Sequence, residues 1–451
     1  MGKQKQPDQR EIALDILLLT EESGTFSNRI IDAALDKYAY LPEQQKGLIR
    51  RLCDGCIRER IYLDHCIDHV SKTKTNRMKK LILVLLRMGA YQLLRMQEIP
   101  PSAAVNEAVK LAKKRGFSSL SGFVNGVLRS LDREKDRIPL PDPEKEREAY
   151  LSVRYSMPLW LVTEIEEGVP KGQRKESEKI FAALLEKRPL SARFSERMTS
   201  LEKERLLTAL AREGVSTRQS EKLAYAYYLE NVRGIKDLPG FREGQLYFQD
   251  VGSMLVVEKA GIKSGDLVLD VCAAPGGKAL HAAEKLPADE KGNGSGPKGG
   301  SVMAFDLTQE KVLRIRENIH RCGAGNITAN VWDATVLNEE LTGKADVVLA
   351  DLPCSGLGVI GRKPDIKYHI SPEQIAELSF LQRDILKVVS QYVKKGGILM
   401  YSTCTLTRTE NEENRDWILE NLPFSMEEEI RLLPGLNETD GFYMVRMRRK
   451  A

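Results

Sequence analysis

Residues 267–278 read LVLDVCAAPGGK, and this stretch decides the fold. The run 267–271 predicts a buried strand, and the Pro-Gly-Gly turn after it opens a helix. In an open α/β sheet, a ligand binds where the carboxyl end of such a strand meets the N-terminus of the next helix. The turn lacks the G-x-G-x-x-G spacing of a dinucleotide site. Taken alone, it is also compatible with an ordinary tight turn of any α/β protein.

Short β-branched runs alternate with helical stretches throughout the chain after residue 240. The predicted strands are 267–271, 301–305, 327–331, 346–350 and 397–401. This alternation predicts a parallel, doubly wound sheet. We interpret residues 291–301 (KGNGSGPKGGS) as a flexible surface insertion because this run is rich in glycine.

The chain before residue 240 follows a different pattern. From about residue 10 to 131, apolar residues recur every three or four positions, which predicts helices throughout, with a break near Gly116. Residues 132–148 are charged and contain three prolines, which is typical of a linker. The run 188–194 is typical of a loop that leads into a strand. We therefore predict an all-α domain at 1–135, a charged linker at 136–149, a small α+β segment at 150–240 and an α/β domain at 241–451.

Composition sets broad limits on the class of protein. A chain of 451 residues is expected to form two or three domains. Lys and Arg outnumber Asp and Glu by 69 to 64, a mild excess that permits a polyanionic partner without requiring one. The N-terminus is polar, and the apolar run 81–86 is too short to span a membrane. We expect a cytoplasmic protein whose seven cysteines are thiols.

Acidic residues follow two successive predicted strands. Asp306 ends the second strand region and Asp333 follows the third. A carboxylate in such a position can accept hydrogen bonds from the ribose hydroxyls of an adenosyl group. Either residue could instead cap the helix or turn that follows it. Together with the glycine turn, the two residues favour S-adenosylmethionine as the ligand.

Two cysteines follow the fourth and fifth predicted strands. Cys354 lies in DLPCSG and Cys404 in STCT, so both thiols are expected at the carboxyl edge of the sheet. Carbon 5 of a pyrimidine is a poor nucleophile, and a thiolate that adds to carbon 6 activates it toward a methyl donor. Release of the adduct then needs a base or a second thiol. The alternative is that both are buried small hydrophobes, but their polar flanking residues favour reactive thiols.

A second group of cysteines resembles a metal site. Cys53, Cys56, His65, Cys66 and His69 could supply four ligands to zinc. Their apolar neighbours also follow helical spacing, and the ligand spacing does not match a standard zinc finger. We therefore expect these residues to pack in a helical core, and we predict no metal.

Four motifs resemble those of a known family. DVCAAPGGK, FDLTQEKV, DLPCSGLG and YSTCTL are similar to the motifs of the NOL1/NOP2/Sun family of RNA 5-methylcytosine methyltransferases. AVNEAVKLAKK and GFVNGVLR resemble the NusB RNA-binding fold. The resemblance implies a Rossmann-like S-adenosylmethionine-dependent methyltransferase domain of the α/β class, preceded by an all-α NusB-like domain and a small α+β middle segment. The combination resembles bacterial enzymes that act on ribosomal RNA of the small subunit.

The resemblance also implies roles for residues. Cys404 becomes the nucleophile and Cys354 the residue that assists product release, whereas DNA enzymes use the Pro-Cys thiol for attack. Asp351 precedes Cys354 by three positions. From this neighbourhood, and not from the resemblance, we expect Asp351 to hydrogen-bond the cytosine ring and assist addition. The implied residues for S-adenosyl-L-methionine are Cys272, Ala273, Ala274, Pro275, Gly276, Gly277, Lys278, Asp306, Asp333 and Asp351.

The implied substrate is a specific cytosine of small-subunit (16S) ribosomal RNA, and the implied enzyme is a monomer. Leu352 stands where the family more often has alanine, which affects only the expected loop shape. Two alternatives stay open. One is the same chemistry on transfer RNA, and the other is a non-catalytic RNA-binding factor of ribosome assembly.

Overall fold

The structure is a computed structural model that describes residues 8–169, 174–286 and 299–451. Residues 291–298 of the predicted surface insertion lie outside this range. The α-helices, in chain order, are α1 Gln9–Ser23, α2 Ser27–Lys37, α3 Glu43–Arg58, α4 Arg60–Val70, α5 Lys80–Arg95, α6 Pro101–Lys114, α7 Ser121–Glu134, α8 Arg147–Arg154, α9 Leu159–Gly168, α10 Arg174–Leu185, α11 Ser200–Arg212, α12 Val251–Ala260, α13 Gly277–Lys285, α14 Gln309–Cys322, α15 Ile366–His369, α16 Pro372–Val389 and α17 Glu412–Asn421.

Eleven strands are described. They are β1 Leu190–Phe194, β2 Ser216–Gln219, β3 Ala226–Glu230, β4 Leu246–Phe248, β5 Leu267–Asp270, β6 Ser301–Asp306, β7 Ile327–Val331, β8 Ala345–Asp351, β9 Val393–Thr403, β10 Phe424–Leu432 and β11 Phe442–Arg449. Short 3-10 turns occur at Thr75–Arg77, Ser118–Leu120, Glu339–Leu341 and Leu357–Val359. The chain divides into two compact units, which are described separately below.

The first unit comprises the chain up to Glu186 together with Ile360–His369, and its described elements are helical. Its core is built from apolar faces of α1 to α7. The predicted break at Gly116 is confirmed, because this residue has a φ of +85° between α6 and α7. A positive φ favours glycine, which has no Cβ to clash with the backbone. The all-α prediction for this part of the chain is confirmed.

The cysteines of this unit belong to its core. Cys53, Cys56 and Cys66 are buried among the core side chains. His65 lies apart from them, with Nε2 at 2.8 Å from the carbonyl oxygen of Pro139. Helical packing therefore accounts for the cysteine spacing.

A buried lysine holds the segment Ile360–His369 within the helical unit. Lys367 has no exposed surface, and its Nζ donates hydrogen bonds to the carbonyl oxygens of Arg58 (2.9 Å) and Ser156 (2.6 Å). Burial holds the pKa of Lys367 well below its usual range. The two carbonyl groups each accept one N–H of this buried amine and so hold it in place.

The second unit contains a small antiparallel sheet in the order β2-β3-β1-β4. The run 188–194 is predicted to be a loop that leads into a strand, but the strand β1, Leu190–Phe194, begins within this run rather than after it. The fourth strand, β4, lies beyond residue 240, so this sheet extends past the predicted boundary of the middle segment. Its inner face packs against α12, where Tyr228 and Ala226 contact Val251 and Met254.

The second unit also contains a seven-stranded sheet in the order β10-β11-β9-β8-β5-β6-β7. The five strands β5 to β9 are parallel and match the five predicted strands. The prediction of a purely parallel sheet is incomplete, because β10 and β11 are antiparallel. Only nine residues separate these two strands. A parallel crossover needs about a dozen or more residues, so a connection this short favours a hairpin.

Helices cover both faces of the large sheet, with α12, α13 and α14 on one face and α16 and α17 on the other. This is the doubly wound arrangement that the alternating pattern predicts. Within the three described stretches, no helix is both long and apolar enough to cross a membrane.

Candidate active site

The carboxyl ends of four parallel strands form one edge of the large sheet. β5 ends at Asp270, β6 at Asp306 and β8 at Asp351. β9 pairs with β8 so that Ser402 lies opposite Asp351. The sheet thus brings the two cysteine motifs and the glycine turn to the edge where ligands bind in α/β folds.

The two motif cysteines are in contact. Their Sγ atoms lie 3.3 Å apart, and the Cys404 backbone N–H donates to Cys354 Sγ at 3.3 Å. The hydrogen bond to Cys404 and burial hold the pKa of the Cys354 thiol well above its usual range. Cys354 is therefore held as a thiol at neutral pH.

Glu410 binds the loop that carries Cys354 through hydrogen bonds to Ser355. This carboxylate has no exposed surface. Its Oε1 accepts hydrogen bonds from the Ser355 backbone N–H (2.8 Å) and from Gln382 Nε2 (3.1 Å). Its Oε2 accepts from the hydroxyls of Ser355 (2.5 Å) and Thr407 (2.9 Å). A buried carboxylate with four donors is well satisfied and fixes the loop next to the reactive thiol.

Gly358 fixes the other side of the thiol pair. Its N–H donates to the carbonyl oxygen of Cys404 at 3.0 Å, and its own carbonyl oxygen accepts from the Gly441 N–H at 2.9 Å. A Cβ at residue 358 would lie 2.8 Å from the Cys404 carbonyl oxygen and would overlap the backbone of Gly441. Only glycine allows the three backbone segments to approach this closely.

The glycine turn after β5 borders a cavity of about 190 Å³. Gly276, directly before α13, has a φ of +103°, and a Cβ there would crowd Ile315. The cavity is lined by Tyr247, Phe248, Gln249, Asp250, Ser253, Asp270, Cys272, Ala273, Ala274, Pro275, Gly277, Lys278 and Asp351. Most of the residues expected to hold the donor are therefore around one cavity.

Asp270 lines this cavity and was missed by the sequence analysis. The side chain is 1% exposed, and neither carboxylate oxygen has a hydrogen-bond partner of normal geometry among the described residues, although the Cys272 backbone N–H faces it and acts to lower its pKa. Burial raises the pKa of Asp270 to about 7, although the nearby Lys278 ammonium opposes the increase. The signal in the sequence was a single charged residue at the end of an apolar strand.

Lys278 and Asp351 connect the cavity with the thiol pair. Lys278 Nζ donates to Asp351 Oδ2 at 2.6 Å, and the Ser402 hydroxyl donates to Asp351 Oδ1 at 2.8 Å. Burial alone would lower the pKa of Lys278, but its ion pair with Asp351 and its interactions with the nearby Asp270 and Cys404 raise it overall. A permanent positive charge therefore lies close to Cys404.

The two acidic residues predicted to bind the donor differ in their contacts. Asp306 is buried, and its Oδ2 accepts from the Ala274 backbone N–H of the glycine turn at 2.9 Å. Asp333 Oδ1 accepts from the backbone N–H and the hydroxyl of Thr335, at 2.9 and 2.7 Å. These hydrogen bonds lower the pKa of Asp333. The structure joins Asp306 to the donor loop, whereas Asp333 caps its own turn.

The small sheet also contributes to the cavity, which the sequence analysis did not anticipate. Tyr247, in β4, donates from its hydroxyl to the Pro275 carbonyl oxygen at 3.1 Å. Gln249 lines the same wall. No motif in this part of the sequence marks it as part of a site.

Comparisons with known proteins agree with this geometry. Residues 260–448 match the family model described as 16S rRNA methyltransferase RsmB/F, and residues 7–133 match the NusB family. The probable ribosomal RNA small subunit methyltransferase B of Bacillus subtilis is 35% identical, over 99% of this chain and 100% of its own length. That of Synechocystis sp. is 30% identical, over 98% of this chain and 99% of its own length.

A solved structure gives independent support for the fold. A methyltransferase homolog protein from Pyrococcus horikoshii aligns with 68% of this chain and 99% of its own, with a TM-score of 0.56 and 23% identity. The full-length similarity to the curated relatives, together with both family models, shows that this chain belongs to the ribosomal RNA small subunit methyltransferase B family.

Proposed function

We propose that this chain transfers a methyl group from S-adenosylmethionine to carbon 5 of a specific cytosine in small-subunit (16S) ribosomal RNA. The observation that carries the proposal is the contact between Cys354 and Cys404 at the sheet edge that also holds the donor-type cavity. The membership of the chain in its family supports the methyl donor and ribosomal RNA as the substrate class.

The cavity residues fit this donor. Asp270 is a buried carboxylate without a hydrogen-bond partner of normal geometry among the described residues, and a cationic ammonium group such as that of the donor's methionine part would satisfy it. We assign the ribose hydroxyls to Asp306, which ends β6 and accepts a hydrogen bond from the Ala274 N–H. We assign the rest of the donor to the turn 272–278, most of which lines the cavity. S-adenosylmethionine supplies an electrophilic methyl group on a sulfonium sulfur.

The state of the two thiols supports a division of labour between them. We assign attack on carbon 6 of cytosine to Cys404, which lies near the Lys278 ammonium that would stabilise a thiolate. Cys354 keeps its proton at neutral pH because its pKa is raised, which suits a group that assists release rather than attack. Asp351 could accept a hydrogen bond from the cytosine amino group and so orient the ring.

Two substitutions test this division. Cys404→Ala removes the nucleophile, so we expect methylation to fall by at least about a thousandfold and no covalent complex to form. Cys354→Ala should allow attack but block release. Enzyme bound to RNA would then appear as a slowly migrating band on a denaturing gel. Cys322→Ala, in α14, is the control and should behave as the unchanged protein. Trapping by Cys404→Ala instead of Cys354→Ala would reverse the assignment.

The substrate is tested by sequencing. Bisulfite sequencing of ribosomal RNA from a strain that lacks this gene should show the loss of one 5-methylcytosine in 16S RNA. If a 5-methylcytosine were lost from transfer RNA instead, the result would favour the first alternative, the same chemistry on transfer RNA. No change in any 5-methylcytosine, with a defect in subunit assembly, would favour a non-catalytic factor.

A further inference from the structure

We propose that Cys354 and Cys404 are also a modification site, at which hydrogen peroxide joins their two Sγ atoms in an intramolecular disulfide. The bond would remove both thiols from use, and a dithiol would restore them. Formation of the bond depends only on the geometry of the pair. The loss of methylation that it would cause rests on the proposed function.

The geometry of the two loops favours the bond. Cys354 and Cys404 follow adjacent parallel strands, β8 and β9, which are paired up to Asp351 and Ser402. The Sγ atoms must approach from 3.3 Å to about 2.05 Å, which small rotations of the two side chains can provide. Both residues are partly exposed, which gives a molecule as small as peroxide a path to the pair. All seven cysteines lie in the described residues, and among them only Cys354 and Cys404 share a hydrogen bond between their sulfur atoms.

The local charges set the order of the reaction. Thiolates react with peroxide much faster than thiols do. The Lys278 ammonium lies near Cys404, whereas Cys354 is held as a thiol by burial and by its hydrogen bond to Cys404. Cys404 is therefore the sulfur that peroxide oxidises, and Cys354 is the resolving thiol.

The chemistry balances in two steps. The Cys404 thiolate attacks one oxygen of hydrogen peroxide, the O–O bond breaks, and a sulfenic acid and water result after one proton is taken up. The Cys354 sulfur then attacks the sulfenic sulfur, and its proton leaves with the hydroxyl as a second water. The two sulfurs lose two electrons in total, and peroxide accepts them.

Peptide mapping of the full chain tests the bond directly. Trypsin releases residues 345–362 with Cys354 as the only cysteine and residues 396–408 with Cys404 as the only cysteine. After brief exposure to hydrogen peroxide and alkylation of free thiols, we expect these two peptides to be joined, with the mass of two hydrogen atoms lost. Dithiothreitol should separate them. Methylation should fall by at least about tenfold on oxidation and return with dithiothreitol.

Two variants sharpen the result. Cys322→Ser removes another partly exposed thiol of the same unit and should leave the joined peptides unchanged. Cys354→Ser removes the resolving thiol, so Cys404 should progress to sulfinic acid, which dithiothreitol does not reverse. The inference is overturned if Cys404 of the unchanged protein becomes sulfinic acid without joined peptides, or if the cysteines link two chains.

The outcome separates this inference from the proposed function. Joined peptides in a protein that never methylates RNA would support the modification site and contradict the methyltransferase. Full methylation with no joined peptides would support the methyltransferase and contradict the modification site.

Discussion

The two ends of the candidate site satisfy their buried polar groups in different ways. At the thiol end, Glu410 accepts four hydrogen bonds from the chain itself, and every partner is within 3.1 Å. At the donor end, Asp270 is equally buried but has no such partner among the described residues. The buried carboxylate at the thiol end is thus fully hydrogen-bonded by the chain itself, whereas the carboxylate at the donor end is suited to a cationic ligand.

This difference indicates how the free energy of folding is distributed. A satisfied buried network makes a loop rigid and stabilises the fold, whereas an unsatisfied buried carboxylate destabilises the fold until a ligand binds. Removing a hydrogen-bonding group from the thiol end should therefore lower both the stability of the fold and the rate of methylation. Removing the unsatisfied carboxylate from the donor end should lower the affinity for the ligand while raising the stability of the ligand-free protein.

Glu410→Ala should have the largest effect. It leaves the Ser355 N–H without its acceptor and removes one of the two acceptors of the Gln382 amide. We therefore expect unfolding to require about 3 kcal/mol less free energy and methylation to fall by at least about a hundredfold. Chemical denaturation and single-turnover methylation measure the two effects. Because Glu410 acts by positioning Cys354, the turnover rate should fall while donor affinity stays within about twofold.

The controls for Glu410 lie beside it. Glu413→Ala changes an exposed glutamate one turn further along the chain and should change neither property. Glu410→Gln keeps one acceptor and should recover part of the activity. If Glu410→Ala is as stable and active as the unchanged protein, the network does not hold the thiol loop.

Asp270→Asn should have a large but opposite effect on stability. The substitution removes a charge that burial disfavours, so the free energy of unfolding should rise, while the affinity for S-adenosylmethionine falls by about tenfold to a hundredfold. Isothermal titration calorimetry and thermal unfolding without ligand measure the two quantities. Lower stability together with unchanged affinity would contradict the assigned role of Asp270.

The pH dependence of the unchanged protein also tests the role of Asp270. The folded pKa of Asp270, about 7, lies above its ordinary value, so the folded state binds the proton more tightly than the unfolded state does. Stability without ligand should therefore be lost as pH rises from about 4 through 7, by at most about 4 kcal/mol. Donor affinity should change in the other direction, rising up to about tenfold per pH unit below 7. Asp270→Asn should remove both slopes.

The same contrast explains what the sequence could predict. The parallel strands, the cysteine pair and the glycine turn follow from short local patterns, because alternation and turn residues are visible within a few positions. Glu410 contacts Ser355 from 55 positions away, and no local pattern reveals such a partner. Asp270 interrupts an apolar strand, a signal that was present but weak. The hairpin of β10 and β11 depends on pairing with β9, which the pattern of the segment does not specify.

Asp333 should have the smallest effect, because its hydrogen bonds to Thr335 tie it to its own turn. We expect Asp333→Asn to weaken donor binding by no more than about threefold, since the amide oxygen can still cap the turn. Asp306→Asn is the matched comparison. It alters a carboxylate bonded to the Ala274 N–H of the donor loop and should weaken binding by at least about tenfold. Calorimetry with S-adenosylhomocysteine measures the loss of affinity in each variant. Equal losses would mean that the donor site extends to the end of β7 and that ligand binding moves Asp333 away from Thr335.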